Sequence, residues 1–147
     1  MTMREILFRG KRADNGKWTT GTPFFVKGRC KMIHAVAVHP DFLDEGNVYY
    51  SEGYPVIDDT IGQFTGLTDK NGTKIFEGDI VRAVLPKSNA IPEFVWPDMV
   101  VGFSEGAFSA MRGRYCTPLY SFAPAVELEV IGNIHENPEL MEGEHHG

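Results

Sequence analysis

Glycine and proline interrupt this chain so often that long helices have little room to form. The 147 residues include 16 glycines and 9 prolines, and the apolar runs are short, such as residues 35–38 and 99–101. A membrane-spanning helix needs about 20 consecutive apolar residues. Short apolar segments bounded by glycine and proline are typical of strands and turns. The sequence therefore predicts a mostly β protein without a membrane span.

Two Asn-Gly pairs mark the sharpest turns. Asn15-Gly16 follows an opening strand predicted over residues 6–9, and Asn71-Gly72 lies between two further apolar segments. Asn-Gly favours a β-hairpin because both residues tolerate positive φ. Glu77-Gly78-Asp79 then predicts another tight bend before a strand over residues 80–85. Turns so closely spaced are typical of a small, sharply bent β-barrel.

The second half of the chain continues this pattern. Residues 94–103 read as extended, with Pro97 marking an edge or a bulge, and residues 107–111 can pair with them. Residues 126–130 alternate between apolar and acidic, as expected of a half-buried strand that Gly132 then bends. No element is predicted for residues 112–125.

These elements predict a single domain over residues 1–147. Its core is an SH3-like or otherwise small bent β-barrel over about residues 61–134, with the N-terminal strands packed on it. A short helical turn is expected at the C-terminus, where Asn137 can act as N-cap, Pro138 as first helical residue and Glu139 as an acid in the first turn.

Charge limits the classes of partner. The chain has 14 basic and 20 acidic residues, a net charge of −6, whereas nucleic-acid binding depends on basic side chains that neutralise phosphates. The charges are also segregated. Basic residues concentrate before residue 32, and acidic residues concentrate at residues 41–45, at residues 58–59 and in the tail. This arrangement predicts a dipolar surface and self-association.

No catalytic or metal-binding set is evident. His34 and His39 are five residues apart, which places them on opposite faces of a strand. Cys30 and Cys116 are distant in sequence, and no paired spacing typical of structural zinc sites is present. The sequence therefore predicts a protein that is not an enzyme and that has no metal and no cofactor.

Three stretches together resemble the YopX family of phage and prophage proteins. They are residues 3–9, residues 62–81 and residues 130–140, and the middle one, with Phe64-Thr65-Gly66-Leu67, is the family's most specific signature. The resemblance implies a largely β fold with a barrel-like element around the signature. It also implies a phage or prophage protein in the bacterial cytoplasm, from a family of uncharacterised function and without catalytic residues to carry over.

Each signature residue has a structural explanation, because glycines suit positive-φ turns and carboxylates can accept backbone N–H bonds. The alternative is a polar recognition surface on the signature, formed by Gln63, Thr65, Asp69, Asn71, Glu77 and Asp79.

Two functions remain open. The first is a non-enzymatic protein-interaction module that forms a homo-oligomer or binds a host or phage protein, with no membrane partner. The alternative is a weak single-stranded nucleic-acid-binding protein that uses the basic N-terminal region. There aromatic and basic residues interleave at Phe8-Arg9, Lys17-Trp18 and residues 25–27.

Overall fold

The computed structural model describes residues 4–27, 29–38 and 49–142. These residues form twelve β-strands and short 3-10 turns, and they contain no α-helix. The prediction of a mostly β chain with a small, bent barrel-like core is confirmed, since the sheet curls into a half-barrel. The chain divides into two compact units, residues 1–63 and residues 64–147. The single domain over residues 1–147 stays a prediction.

The first unit is an antiparallel sheet in the order β4-β3-β2-β1, with the start of β5 beside β1. Its strands are β1 (Phe8–Lys11), β2 (Trp18–Val26), β3 (Arg29–Val38) and β4 (Tyr49–Pro55). The Asn15-Gly16 turn joins β1 to β2, with Gly16 at φ 70°. The opening strand begins two residues later than the sequence predicts.

The second unit holds the signature and a five-stranded antiparallel path, β11-β10-β9-β7-β12. The signature strand β5 (Gly62–Thr68) starts in the first unit and pairs with β6 in the second. The remaining strands are β6 (Lys74–Phe76), β7 (Asp79–Leu85), β8 (Phe94–Val95), β9 (Met99–Ser104), β10 (Ala107–Arg112), β11 (Tyr115–Pro118) and β12 (Glu127–Asn133).

Two irregularities bend this second sheet. The segment around Pro97 separates β8 from β9, so the extended stretch predicted over residues 94–103 is two strands that both pair with β7. A β-bulge between Val130 and Gly132 shifts the register of β12 against β7, as the sequence predicts. Bulges increase local twist. The curved sheet encloses a core of Ile75, Val81, Ala83, Met99, Val101, Ala110 and Leu119.

The C-terminal helical turn is a 3-10 turn over Pro138–Met141. Asn137 precedes it, but its side chain makes no capping bond to the turn. Its Oδ1 instead accepts a hydrogen bond from the backbone N–H of Asn133 at 3.2 Å. Asn137 therefore occupies the predicted N-cap position, with Pro138 and Glu139 in the first turn, while its side chain closes the preceding turn.

Candidate functional site

The signature turn is organised by the Asp69 carboxylate, which is only 7% exposed. Its Oδ1 accepts hydrogen bonds from the backbone N–H groups of Asn71 (2.8 Å) and Thr73 (2.9 Å). Gly72 has φ 83°, a conformation that favours glycine. The sequence Asp-Lys-Asn-Gly-Thr therefore closes a compact turn on its own side chain.

The same carboxylate joins the signature turn to β12. Its Oδ2 accepts the backbone N–H of Val130 at 2.9 Å, and beside it the Lys70 N–H donates to the Leu128 carbonyl at 2.9 Å. Burial by itself raises the pKa of the Asp69 carboxyl, but the N–H groups of Val130, Thr73 and Asn71 outweigh it and hold that pKa below its usual value. Asp69 is therefore an ionised structural anchor at neutral pH.

Asp79 has a similar role in the next bend. It is 2% exposed, and its Oδ2 accepts the backbone N–H of Phe76 at 2.7 Å across Glu77-Gly78. Gly78 has φ 91°, and its N–H and carbonyl bond to Val101 and Ile134 at 2.8 and 2.9 Å. The bend is thus held by one buried carboxylate and by two neighbouring segments.

The other predicted recognition residues are more accessible. The Thr65 hydroxyl donates to the Ile75 carbonyl at 2.8 Å, and the Asn71 amide lies 3.4 Å from a Glu129 carboxylate oxygen. Glu77 is half-buried, and Gln63, also half-buried, lies in the first unit. The recognition surface stays a prediction. Its two aspartates could contribute only by shaping the backbone, because their carboxylates face inward.

A groove on the second unit is formed by two adjoining depressions of about 220 and 320 Å³. They share Phe122, Ala123 and Val126, and we call them together the aromatic groove. The smaller depression is also lined by Leu85, Trp96, Tyr115, Thr117 and Ser121. The larger one extends to the signature turn, with a lining that includes Leu67, Lys70, Pro124 and Glu127.

Two rings that line the groove, Trp96 and Phe122, stack edge to face, and Phe94 stacks on Trp96 beside the lining. The ring centroids of Phe94 and Trp96 are 4.7 Å apart, and those of Trp96 and Phe122 are 5.4 Å apart. Phe94 is 53% exposed, and Tyr115, which lines the smaller depression, is 49% exposed, so this aromatic edge remains half open to solvent. Stacking of this kind fixes ring positions and gives the groove a preformed shape.

The groove also offers hydrogen-bond donors. Among the described residues, neither the indole N–H of Trp96 nor the hydroxyl of Tyr115 has a hydrogen-bond partner. At the signature end, the Lys70 ammonium lies 3.9 Å from a Glu127 carboxylate oxygen. An apolar surface with a few polar groups around it is suited to binding another molecule.

A second aromatic and basic surface lies on the first unit. The Arg9 guanidinium sits 4.8 Å from the centre of the Trp18 ring, and Lys11 pairs with Trp18 across the β1–β2 ladder. Arg12 is already neutralised by Asp14, at 2.7 and 3.0 Å. Of the aromatic and basic residues that the sequence interleaves, the structure thus brings Arg9 beside Trp18, and nucleic-acid binding stays a prediction.

Within residues 4–27, 29–38 and 49–142, the structure contains no group of three or more His, Cys, Asp or Glu side chains that could hold a metal ion. Cys116 is an exposed free thiol. The side chains of Cys30 and His34, and all of His39, lie outside the described residues. In the described part of the chain, no helix has the length and apolar character to cross a membrane.

Sequence reasoning missed the aromatic groove. Much of its lining comes from residues 112–125, for which the sequence predicts no element, and they form β11 and a 3-10 turn over Leu119–Ser121. The one available signal was the density of aromatic residues there, Tyr115, Tyr120 and Phe122, between small and polar residues.

Comparison with known proteins gives a family and a structural relative. The family model described as "YopX protein" matches residues 7–142. The structure is similar to the crystal structure of protein EF1440 from Enterococcus faecalis, with 28% sequence identity and a TM-score of 0.54. The match covers 95% of this chain and 100% of that one. A search of the curated proteins found no match.

Proposed function

Because the chain belongs to the YopX family, we propose that it is a non-enzymatic protein-interaction module of a phage or prophage, acting in the cytoplasm of the bacterial host. The aromatic groove is its binding surface. The observation that carries this proposal is the row of stacked rings formed by Phe94, Trp96 and Phe122, with the half-exposed Tyr115 lining the same groove.

Physical arguments favour a protein partner for such a surface. Tryptophan and tyrosine dominate the binding energy of protein interfaces, because they bury large areas with few rotatable bonds. The unpartnered donors of Trp96 and Tyr115 can bond to backbone carbonyls that a partner segment presents. Rings held by stacking lose little entropy on binding.

The ionisable groups of the signature support the non-enzymatic part of the proposal. General acid–base catalysis works best when the pKa lies near the working pH. The backbone N–H groups of Val130, Thr73 and Asn71 overcome the effect of burial and lower the pKa of Asp69, which moves it away from neutrality. The Asp79 carboxylate is buried against the Phe76 N–H.

The test is an affinity pull-down from host-cell lysate, with and without nuclease, followed by mass spectrometry. The groove variant combines Phe94→Lys with Tyr115→Lys, both at half-exposed positions. The control is Phe103→Lys, an exposed ring that stacks on Phe108 outside the groove. We expect a nuclease-resistant partner that the wild type and the control retain and the groove variant loses. Equal recovery by all three proteins would refute the groove as the binding surface.

One further variant separates the groove from the predicted recognition surface. Asn71→Ala changes an exposed signature side chain without touching the groove lining. If Asn71→Ala loses the partner and the groove variant retains it, the binding surface is the signature and not the groove.

A second candidate function rests on the Arg9–Trp18 stack and the adjacent Lys11. A basic sheet face with an aromatic ring can bind single-stranded nucleic acid weakly, with strong salt dependence. The test is a mobility shift with single-stranded DNA and RNA. A shift that disappears on changing Lys11 and Lys17, the lysines nearest Trp18, to Glu would support this function, and no binding even at low salt would eliminate it.

A further inference from the structure

The first unit has an apolar projection that matches the aromatic groove in chemistry. We call it the β2 tip, made of Phe24, Phe25 and Lys27 at the end of the β2–β3 hairpin. The two rings are 53% and 51% exposed. The β2–β3 ladder shifts register between Phe24 and Phe25, so the regular alternation of side chains between the two faces of the sheet is interrupted there. Lys27 follows in the turn with φ 52° and is exposed.

The two surfaces belong to segments of opposite charge, although the first unit as a whole, residues 1–63, is balanced with eight basic and eight acidic side chains. Residues 4–27, which contain the tip, have six basic and two acidic side chains. Residues 64–142, which contain the groove, have six basic and eleven acidic side chains. At the groove itself the only charged lining groups that are exposed are Lys70 and Glu127, which pair with each other. The electrostatic attraction is therefore between the basic segment 4–27 and the acidic segment 64–142, and not between single charged groups at the groove.

We propose that the β2 tip of one copy occupies the aromatic groove of a second copy. This rests on the proposed function, since it uses the same groove and names one occupant. The phenylalanine rings pack against the row of Phe94, Trp96 and Phe122, and the basic tip approaches an acidic unit.

Such a contact joins two different surfaces, so it is heterologous. After one contact, one copy still offers its tip and the other still offers its groove, and the assembly grows into rings or open chains instead of stopping at a symmetric pair. Because opposite charges contribute, association weakens as salt shortens the range of the attraction.

The experiment uses two full-length variants with complementary defects. The tip variant combines Phe24→Ser with Phe25→Ser, and the groove variant is Phe94→Lys with Tyr115→Lys. Ile6→Ser and Phe103→Lys change exposed apolar residues elsewhere in each unit and serve as matched controls. Circular dichroism confirms that each variant is folded. If the tip variant does not fold, Lys27→Glu replaces it, because it leaves both rings in place.

Sedimentation velocity over a range of concentrations gives the readout. We expect the wild type and both controls to associate, and each defective variant alone to associate at least about tenfold more weakly. An equimolar mixture of the two variants should form a heterodimer that does not grow further, because it combines one intact tip with one intact groove. A strictly monomeric wild type, or a mixture that stays monomeric while both variants are folded, would overturn the proposal.

The results also separate this inference from the proposed function. A monomeric wild type whose groove still captures a lysate protein would refute self-association alone. A groove variant that loses self-association but retains every lysate partner would refute the groove as the site for those partners, and self-association would stand.

Discussion

Replacing Asp69 with asparagine tests whether the signature is a structural anchor. The substitution keeps the size of the side chain but removes its charge and one acceptor oxygen. In the wild type, the N–H of Val130 donates to Oδ2 at 2.9 Å. If the amide oxygen of the variant keeps the bonds from Asn71 and Thr73, its NH₂ group faces the N–H of Val130, and two donors then meet. Hydrogen bonds to charged groups contribute about 1.5–3 kcal/mol each. Losing the hydrogen bond from Val130 and weakening those from Asn71 and Thr73 should lower the free energy of unfolding by about 3 kcal/mol.

The chain provides a reporter for this measurement. It has two tryptophans, Trp18 in the first unit and Trp96 in the second. In a Trp18→Phe background, fluorescence follows the unit that contains Asp69. Urea unfolding at pH 7 then gives the difference in unfolding free energy that Asp69→Asn causes in that background. Asp98→Asn is the control, because Asp98 makes a surface ion pair with Arg82 at 3.3 Å and such pairs contribute about 0–1 kcal/mol.

The pH dependence has a definite sign. The folded-state pKa of Asp69 is lowered from the usual 3.8, so the stabilisation is fully present above that unfolded value and is lost as the pH falls through the folded pKa. The difference between wild type and Asp69→Asn should therefore be largest near pH 7 and should shrink below about pH 4. A difference under about 0.5 kcal/mol at pH 7, or one that stays constant down to acid, would refute the anchor.

Three further substitutions test other turns by the same unfolding assay. Asp79→Ala removes the acceptor for the buried Phe76 N–H and should cost about 2–4 kcal/mol; a cost near zero would contradict its role in the bend. Glu105→Asn should stabilise by about 0.5–1 kcal/mol, because Glu105 has φ 50° in a two-residue hairpin turn where Asn-Gly is preferred; destabilisation would show that the glutamate has another role. Gly132→Ala should cost about 1–3 kcal/mol, since its Cβ would lie 2.6 Å from Asn137 Oδ1. The double variant Gly132→Ala with Asn137→Ala should lose less stability than the sum of the two single variants. A loss equal to that sum would exclude the clash.

Local chemistry made much of the fold predictable. Gly16, Gly72 and Gly78 have positive φ where the sequence predicts turns, because few residues other than Gly and Asn adopt that conformation without strain. The pairing of β9 with β10 and the bend of β12 at Gly132 also follow from short-range pattern. The resemblance to the YopX family, read from three stretches, is confirmed by the match over residues 7–142.

The sequence by itself determined the β class, the turns and the family, because each depends on residues that are neighbours along the chain. Only the tertiary structure decided the orientation of the signature carboxylates and the position of the groove. Asp69 reaches Val130, which is 61 residues away, and Trp96 meets Phe122 across 26 positions of sequence. Contacts at such separations depend on how strands fold over one another, and no local pattern encodes that.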